Sequence, residues 1–271
     1  MVSGAGLKAV AVAGVLCAAV GGAVIARADD LGARAAQLQG GLAIGSLNKG
    51  DKNLTVDRPA QAGGVDGFRI SNKSSKALVV TIKARPWTQS SSGAVSANRR
   101  GTLGGVTVSE GDFTLQPGAE KDITVTLSSA PSAGYLYGAL EVVGLPTDVA
   151  KSKGVITGYR LVSALRYTPA TATYGLKAGA AKISGKGAKQ TLTMSVRNTG
   201  NTVAPVTGTV KLKGATGTKN GTVKSTRILP GKSVALGLAS LSSLRAGSYT
   251  ATVTLIQNKQ KTTLSKKIRV R

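Results

Sequence analysis

Histidine is absent from the 271-residue chain, and its one cysteine, Cys17, lies in an apolar N-terminal stretch. Imidazole general bases, thiolate nucleophiles and the commonest metal-ligand sets therefore fall away. Glu110 and Asp112 in "SEGDF" are the carboxylates spaced for acid–base work, and their position before Phe113 reads more simply as a solvated turn entering a strand. The "GATGTKNG" stretch at 214–221 lacks the spacing of a phosphate loop, and Asn220-Gly221 reads as a hairpin turn. A non-enzymatic protein without cofactor or metal is expected.

Charge is the chemistry that the chain holds in excess. There are 36 Lys and Arg against 11 Asp and Glu, a net charge of +25. All the acids lie at or before Asp148, and from Thr171 to Arg271 there are eighteen basic residues and none acidic. Such a domain repels itself unless counterions or an anionic partner offset it. The expectation is contact with a polyanion, an anionic cell-wall polymer or peptidoglycan, against the plainer reading of a solvated basic surface. Strand periodicity would put Lys267, Arg269 and Arg271 on one face, and Lys211 and Lys213, flanking Leu212, in a second stripe. Tyr174 and Tyr249 are the only aromatics in this half, so the base stacking that nucleic-acid binding uses is not expected. Tyr135 and Tyr137 alternate with Leu136, face away from a core and are candidate surface contacts. Trp87, after Arg85-Pro86, reads first as closing one end of a core and second as a binding aromatic.

The elements that position these residues are given by a phrase that the chain uses twice. "LQPGAEKDITVTLSSAPSAGYLYGALEVVG" (115–144) aligns without a gap to "ILPGKSVALGLASLSSLRAGSYTATVTLIQ" (228–257), Pro117-Gly118 meeting Pro230-Gly231 and Gly134 meeting Gly247. Ile123, Val125 and Leu127, then Leu136, Gly138, Leu140 and Val142, alternate with polar positions, as do their counterparts. Each phrase reads as turn, strand, loop, strand. Upstream, "FRISNKSSKALVVTIKA" (68–84) and "TMSVRNTGNTVAPVTGTVKL" (193–212) each carry a strand, a polar turn at Asn72 or Asn198, and a second strand. The first copy is longer, and the excess is assigned to a polar loop within "RPWTQSSSGAVSANRRGTLGG". The closing "TTLSKKIRVR" reads as a strand, with Leu264, Ile268 and Val270 on its apolar side.

Lys8, seventeen uncharged and mostly apolar residues from Ala9 to Ile25, and the Ala26-Arg27-Ala28 triplet have the parts of a signal peptide cleaved after Ala28. If it is not cleaved, this segment is the membrane contact. Cleavage leaves no cysteine, so each domain must rest on its apolar core. The expected plan is all-β, with a signal peptide at 1–28, a linker at 29–50 that has room for one short helix, a first immunoglobulin-like β-sandwich at 51–169, and a second, strongly basic one at 170–271.

The Asn-x-Ser and Asn-x-Gly turns, the Leu-x-Pro-Gly turn and "AGYLYGALEV" resemble bacterial surface immunoglobulin-like modules. The first domain is most similar to the peptidoglycan-binding domain of the WxL-interacting proteins, which implies an exported, non-catalytic, wall-associated protein. Periplasmic pilus chaperones share the plan of two such domains and a basic surface. Two readings result: a secreted or cell-surface bacterial protein held to anionic wall polymer through its basic second domain, or a chaperone-like or adhesin module that binds a protein partner by adding a strand at an exposed sheet edge.

Overall fold

Alternating Val, Ile, Leu and Thr, broken by glycine turns, form strands throughout the computed structural model, which describes residues 41–48, 54–151, 156–186 and 189–270. The expected signal peptide, most of the expected linker and Arg271 lie outside the described residues. In chain order the strands are β1 (Leu42–Ser46), β2 (Thr55–Pro59), β3 (Val65–Asn72), β4 (Leu78–Gln89), β5 (Val95–Ala97), β6 (Val106–Val108), β7 (Asp112–Leu115), β8 (Glu120–Leu127), β9 (Leu136–Pro146), β10 (Tyr159–Thr168), β11 (Leu176–Ser184), β12 (Thr191–Asn198), β13 (Pro205–Gly214), β14 (Gly217–Arg227), β15 (Ser233–Ser240), β16 (Gly247–Gln257) and β17 (Gln260–Val270). The protein is all-β, and among the described residues no helix is long and apolar enough to cross a membrane.

Two units result. The first contains the described residues up to Trp87 and Ala97–Thr168, and the second Thr88–Ser96 and Pro169–Arg271. In the first, a sheet ordered β1-β3-β8-β6 faces one ordered β2-β10-β9-β4, with β7 also on β4. Phe68, Ile70, Ile123 and Val125 of the one meet Val80, Leu140, Val142 and Leu165 of the other in a shared core. In the second unit β11-β12-β15 faces β14-β13-β16-β17 around Leu192, Met194, Val196, Leu212, Val253 and Leu255. Each is a β-sandwich.

The repeated phrase forms the same parts twice. The Pro-Gly turns precede β8 and β15, and Gly118 and Gly231 have φ of 73° and 72°. Three local expectations change. Leu42–Ser46, within the stretch read as a linker, is a strand that pairs β3 from Leu42↔Asn72 to Ser46↔Phe68, because Leu42 fills the core at 3 % exposure. The segment read as a polar loop continues β4 through Trp87 to Gln89 and returns as β5. Asn220-Gly221 lies inside β14, opposite Lys211 and Val210. The real turns are the two-residue Ala215-Thr216, between the paired Gly214 and Gly217, and Asn258-Lys259, both at positive φ, between the paired Gln257 and Gln260. Gly221 is needed where it stands because a Cβ there would come within 2.7 Å of the Leu238 carbonyl oxygen.

Candidate functional site: the open edge of β10

Strand β10 sends Ser163, Leu165 and Tyr167 inward, each at most 1 % exposed, and Arg160, Val162, Ala164 and Arg166 outward. On one side it pairs antiparallel with β9 at every position from Tyr159↔Gly144 to Tyr167↔Leu136. On the other it pairs with the short parallel β2 only from Ala164↔Thr55 to Thr168↔Pro59. The Ala164 N–H donates to the Leu54 carbonyl at 3.1 Å on that side. Strand periodicity therefore turns the N–H groups of Val162 and Arg160 the same way. Among the described residues no strand meets them there. Among the described residues this stretch of β10 is an open backbone edge, and the outward side chain of Val162 beside it is 43 % exposed.

A buried carboxylate anchors β2 to the facing sheet. Asp66 on β3 is fully buried, accepts Arg58 Nε of β2, and accepts Asn48 Nδ2 at 3.1 Å. Thr168 Oγ1 donates to the Arg58 carbonyl at 3.1 Å. Burial first, and then the negative charge of Asp66, push the nearby Tyr167 hydroxyl up to about 12, so it remains a neutral phenol.

The outward face behind the edge follows from the strand registers. Val162, Glu141 and Lys83 form one row across β10, β9 and β4, Arg160, Val143 and Thr81 the next, and Ala164, Ala139 and Arg85 the row on the other side. Glu141 is only 4 % exposed, because three guanidinium groups close over it: Arg160 Nε at 2.6 Å, Arg85 Nε at 3.2 Å and Arg99 Nε at 3.2 Å. Arg85 is further fixed by donating from Nη1 to the Gly101 carbonyl at 3.0 Å. Burial alone would raise the Glu141 pKa, and the bonds and charges of Arg160, with the bonds of Arg85 and Arg99, outweigh it and hold the carboxyl below its ordinary value.

Sequence reasoning missed this cluster. Alternation with Leu140 and Val142 puts Glu141 among the polar positions of a half-buried strand, whereas β9 is covered on both faces from Gly138 to Val142. The arginines come from β4, the segment after β5, and β10, so only the register brings them together.

The residues singled out from the sequence lie elsewhere. Tyr135 and Tyr137 stack with ring centroids 5.4 Å apart and a 30° tilt. Tyr137 stands opposite Arg166 on the outward face, away from the core as expected. Trp87 does not close the core: it follows Arg85 outward on β4, is half-buried, and its buried indole N–H has no partner among the described residues. Lys121 Nζ meets Glu110 at 2.6 Å and Thr81 Oγ1 donates to Asp112 at 2.7 Å, ordinary surface contacts for both carboxylates. Lys211 and Lys213 on β13 share one exposed face with Lys267 and Arg269 on β17, because Thr250 lies between Lys213 and Lys267 in register. Threonine and serine fill the adjoining rows of that face: Thr252 bonds Ser265 at 3.1 Å and Thr254 bonds Thr263 at 3.2 Å.

No family model matches the sequence, and no curated protein matches it. Among solved structures, the chain is similar to one from the chaperone–tip adhesin complex of CFA/I fimbriae, at 16 % identity and a TM-score of 0.48, over 82 % of this chain and 98 % of that one. It is similar also to the class 5 fimbriae chaperone CfaA, at 17 % identity and 0.45, over 82 % and 98 %. A third is from the CsuC–CsuE chaperone–tip adhesin subunit pre-assembly complex of Acinetobacter baumannii, at 13 % identity and 0.42, over 78 % and 93 %.

These structures come from fimbrial chaperone systems, and the expected likeness to the WxL-interacting proteins is corrected accordingly. The wall-polymer reading is corrected with it. Its physical weakness shows in the fold: the basic residues of β13 and β17 stand among hydroxyl side chains on an open sheet face, where charge alone marks a solvated surface.

Proposed function

We propose that the protein is an exported, non-enzymatic, chaperone-like or adhesin module of two immunoglobulin-like sandwiches, which binds an extended segment of a protein partner by accepting it as a new strand on β10. The observation that carries this reading is the side of β10 at Arg160–Val162, which no strand among the described residues pairs, next to the point where the described β2 begins. A row of free N–H and C=O groups is the template that strand addition uses. The edges of the second unit's sheets are poorer templates. Strand β11 is interrupted between Ala178 and Ala181, and on β15 the Ala235 N–H is already taken by the Ser91 carbonyl of the same unit. Strands β14 and β17 carry Lys219 and Lys224, and Lys261, Lys266, Lys267 and Arg269, charges of the kind that blunt an edge.

The test is Val162→Pro. This residue turns its N–H away from β9, so proline removes a donor that no other described residue accepts and that an added strand needs. A pull-down from the exported fraction should retain a partner at high salt with the wild type and lose it with Val162→Pro. Equal retention by the variant overturns the reading, as does a partner that elutes with salt alone.

A further inference from the structure

The outward face beside the open edge is out of electrostatic balance. Four cations, Lys83, Arg85, Arg99 and Arg160, surround one carboxylate, Glu141. Arg85 and Arg160 have side chains only 16 % exposed, which removes much of the water that would screen them, while Arg99 is 61 % exposed. Glu141 compensates one charge and leaves a surplus. Arg160 is the member of the set that stands on β10 itself, two residues from Val162 on the same face.

We propose that this cluster selects the incoming segment, which carries a carboxylate side chain facing Arg160 and an apolar side chain facing Val162. This rests on the strand-addition reading. Directly opposed residues on neighbouring antiparallel strands bring their Cβ atoms within about 4.5–5.5 Å, with opposite charges favourable and like charges unfavourable. An acidic side chain at that position meets the surplus directly, and a basic one adds a fifth cation to it. The net charge of +25 acts in the same direction at longer range, drawing acidic partners and repelling basic ones. Burying a carboxylate beside paired guanidinium groups also gives charge-assisted hydrogen bonds, which are stronger than neutral ones.

The experiment uses the full chain and two synthetic peptides, blocked at both ends so that no terminal charge contributes. Both have the same alternating Thr/Val sequence and differ at one outward-facing position, Glu in one and Lys in the other. At low salt the Glu peptide should bind at least about tenfold more tightly, a difference of about 1.4 kcal/mol. The gap should shrink at high salt and largely vanish in Arg160→Gln. Arg99→Gln, at an exposed position, should narrow the gap partway without risk to the core. If neither peptide binds the wild type, strand addition itself falls. If both bind equally, charge selection falls and strand addition stands. If Arg160→Gln and Arg99→Gln, both folded, keep the full wild-type gap, the assignment to this cluster is overturned.

Discussion

Asn72 and Asn198 do the same work in the two sandwiches. Each is fully buried, donates its main-chain N–H to the residue after a Pro-Gly turn (Ala119 or Lys232), and accepts from the turn glycine (Gly118 or Gly231) on its own carbonyl. Each side-chain amide then ties two carbonyls, Lys76 with Leu115 in the first unit and Thr202 with Ile228 in the second. Each Oδ1 accepts the N–H two residues on, from Ser74 or Gly200. The amide thus pins a sheet corner to the turn that opens the next strand.

Asn72→Ala and Asn198→Ala should therefore destabilise by similar amounts. Each leaves buried carbonyls without donors, at about 1–3 kcal/mol per orphaned group. Urea denaturation followed by circular dichroism reads the change, and a neutral result at either position would reduce that asparagine to a plain turn residue.

The turn glycines offer a matched test. A Cβ at Gly118 or Gly231 would touch nothing within 4 Å, so the whole cost of alanine there is the left-handed backbone, φ 73° and 72°. Gly118→Ala and Gly231→Ala should each lose about 1–2 kcal/mol. Gly237, on β15, has equal space and no positive φ, so Gly237→Ala should be neutral or stabilising by up to about 1 kcal/mol. Thermal melts of the three variants decide it.

Glu141 should contribute to acid sensitivity. Because its folded pKa is depressed, its contribution is complete above its unfolded value, near 4.5, and is lost as pH falls through the folded value. Urea stability measured across an acid series should fall below about pH 4.5, and Glu141→Gln should flatten part of that fall. At neutral pH Glu141→Ala should cost about 3 kcal/mol, since it leaves guanidinium groups buried without their counter-charge.

The basic residues of β17 are edge guards on this reading. Neutralising Lys261, Lys266, Lys267 and Arg269 together should promote self-association through β17, seen by analytical ultracentrifugation, while leaving Val162-dependent binding intact. A variant that stays as monodisperse as the wild type would show that some other feature protects this edge.

The sequence by itself determined the class and the rhythm of the fold. Period-two alternation, paired with Pro-Gly turns and recurring in the same order, is a local property of the backbone, so β8, β9, β15 and β16 were legible along with the apolar side of β17. So was the absence of histidine and of acids in the last hundred residues, because composition needs no geometry. What only the tertiary structure decided is everything that depends on pairing. Asn72 looks like a turn residue until Leu115 is placed beside it, and Glu141 looks solvent-facing until register brings Arg85, Arg99 and Arg160 over it. Basic charge is visible in any listing of residues and drew attention to β13 and β17. A free edge is visible in none, since it is a neighbour that is missing, among the described residues, from one side of β10, and hydrogen bonding between strands is set by which strands lie next to each other in space rather than by what either contains.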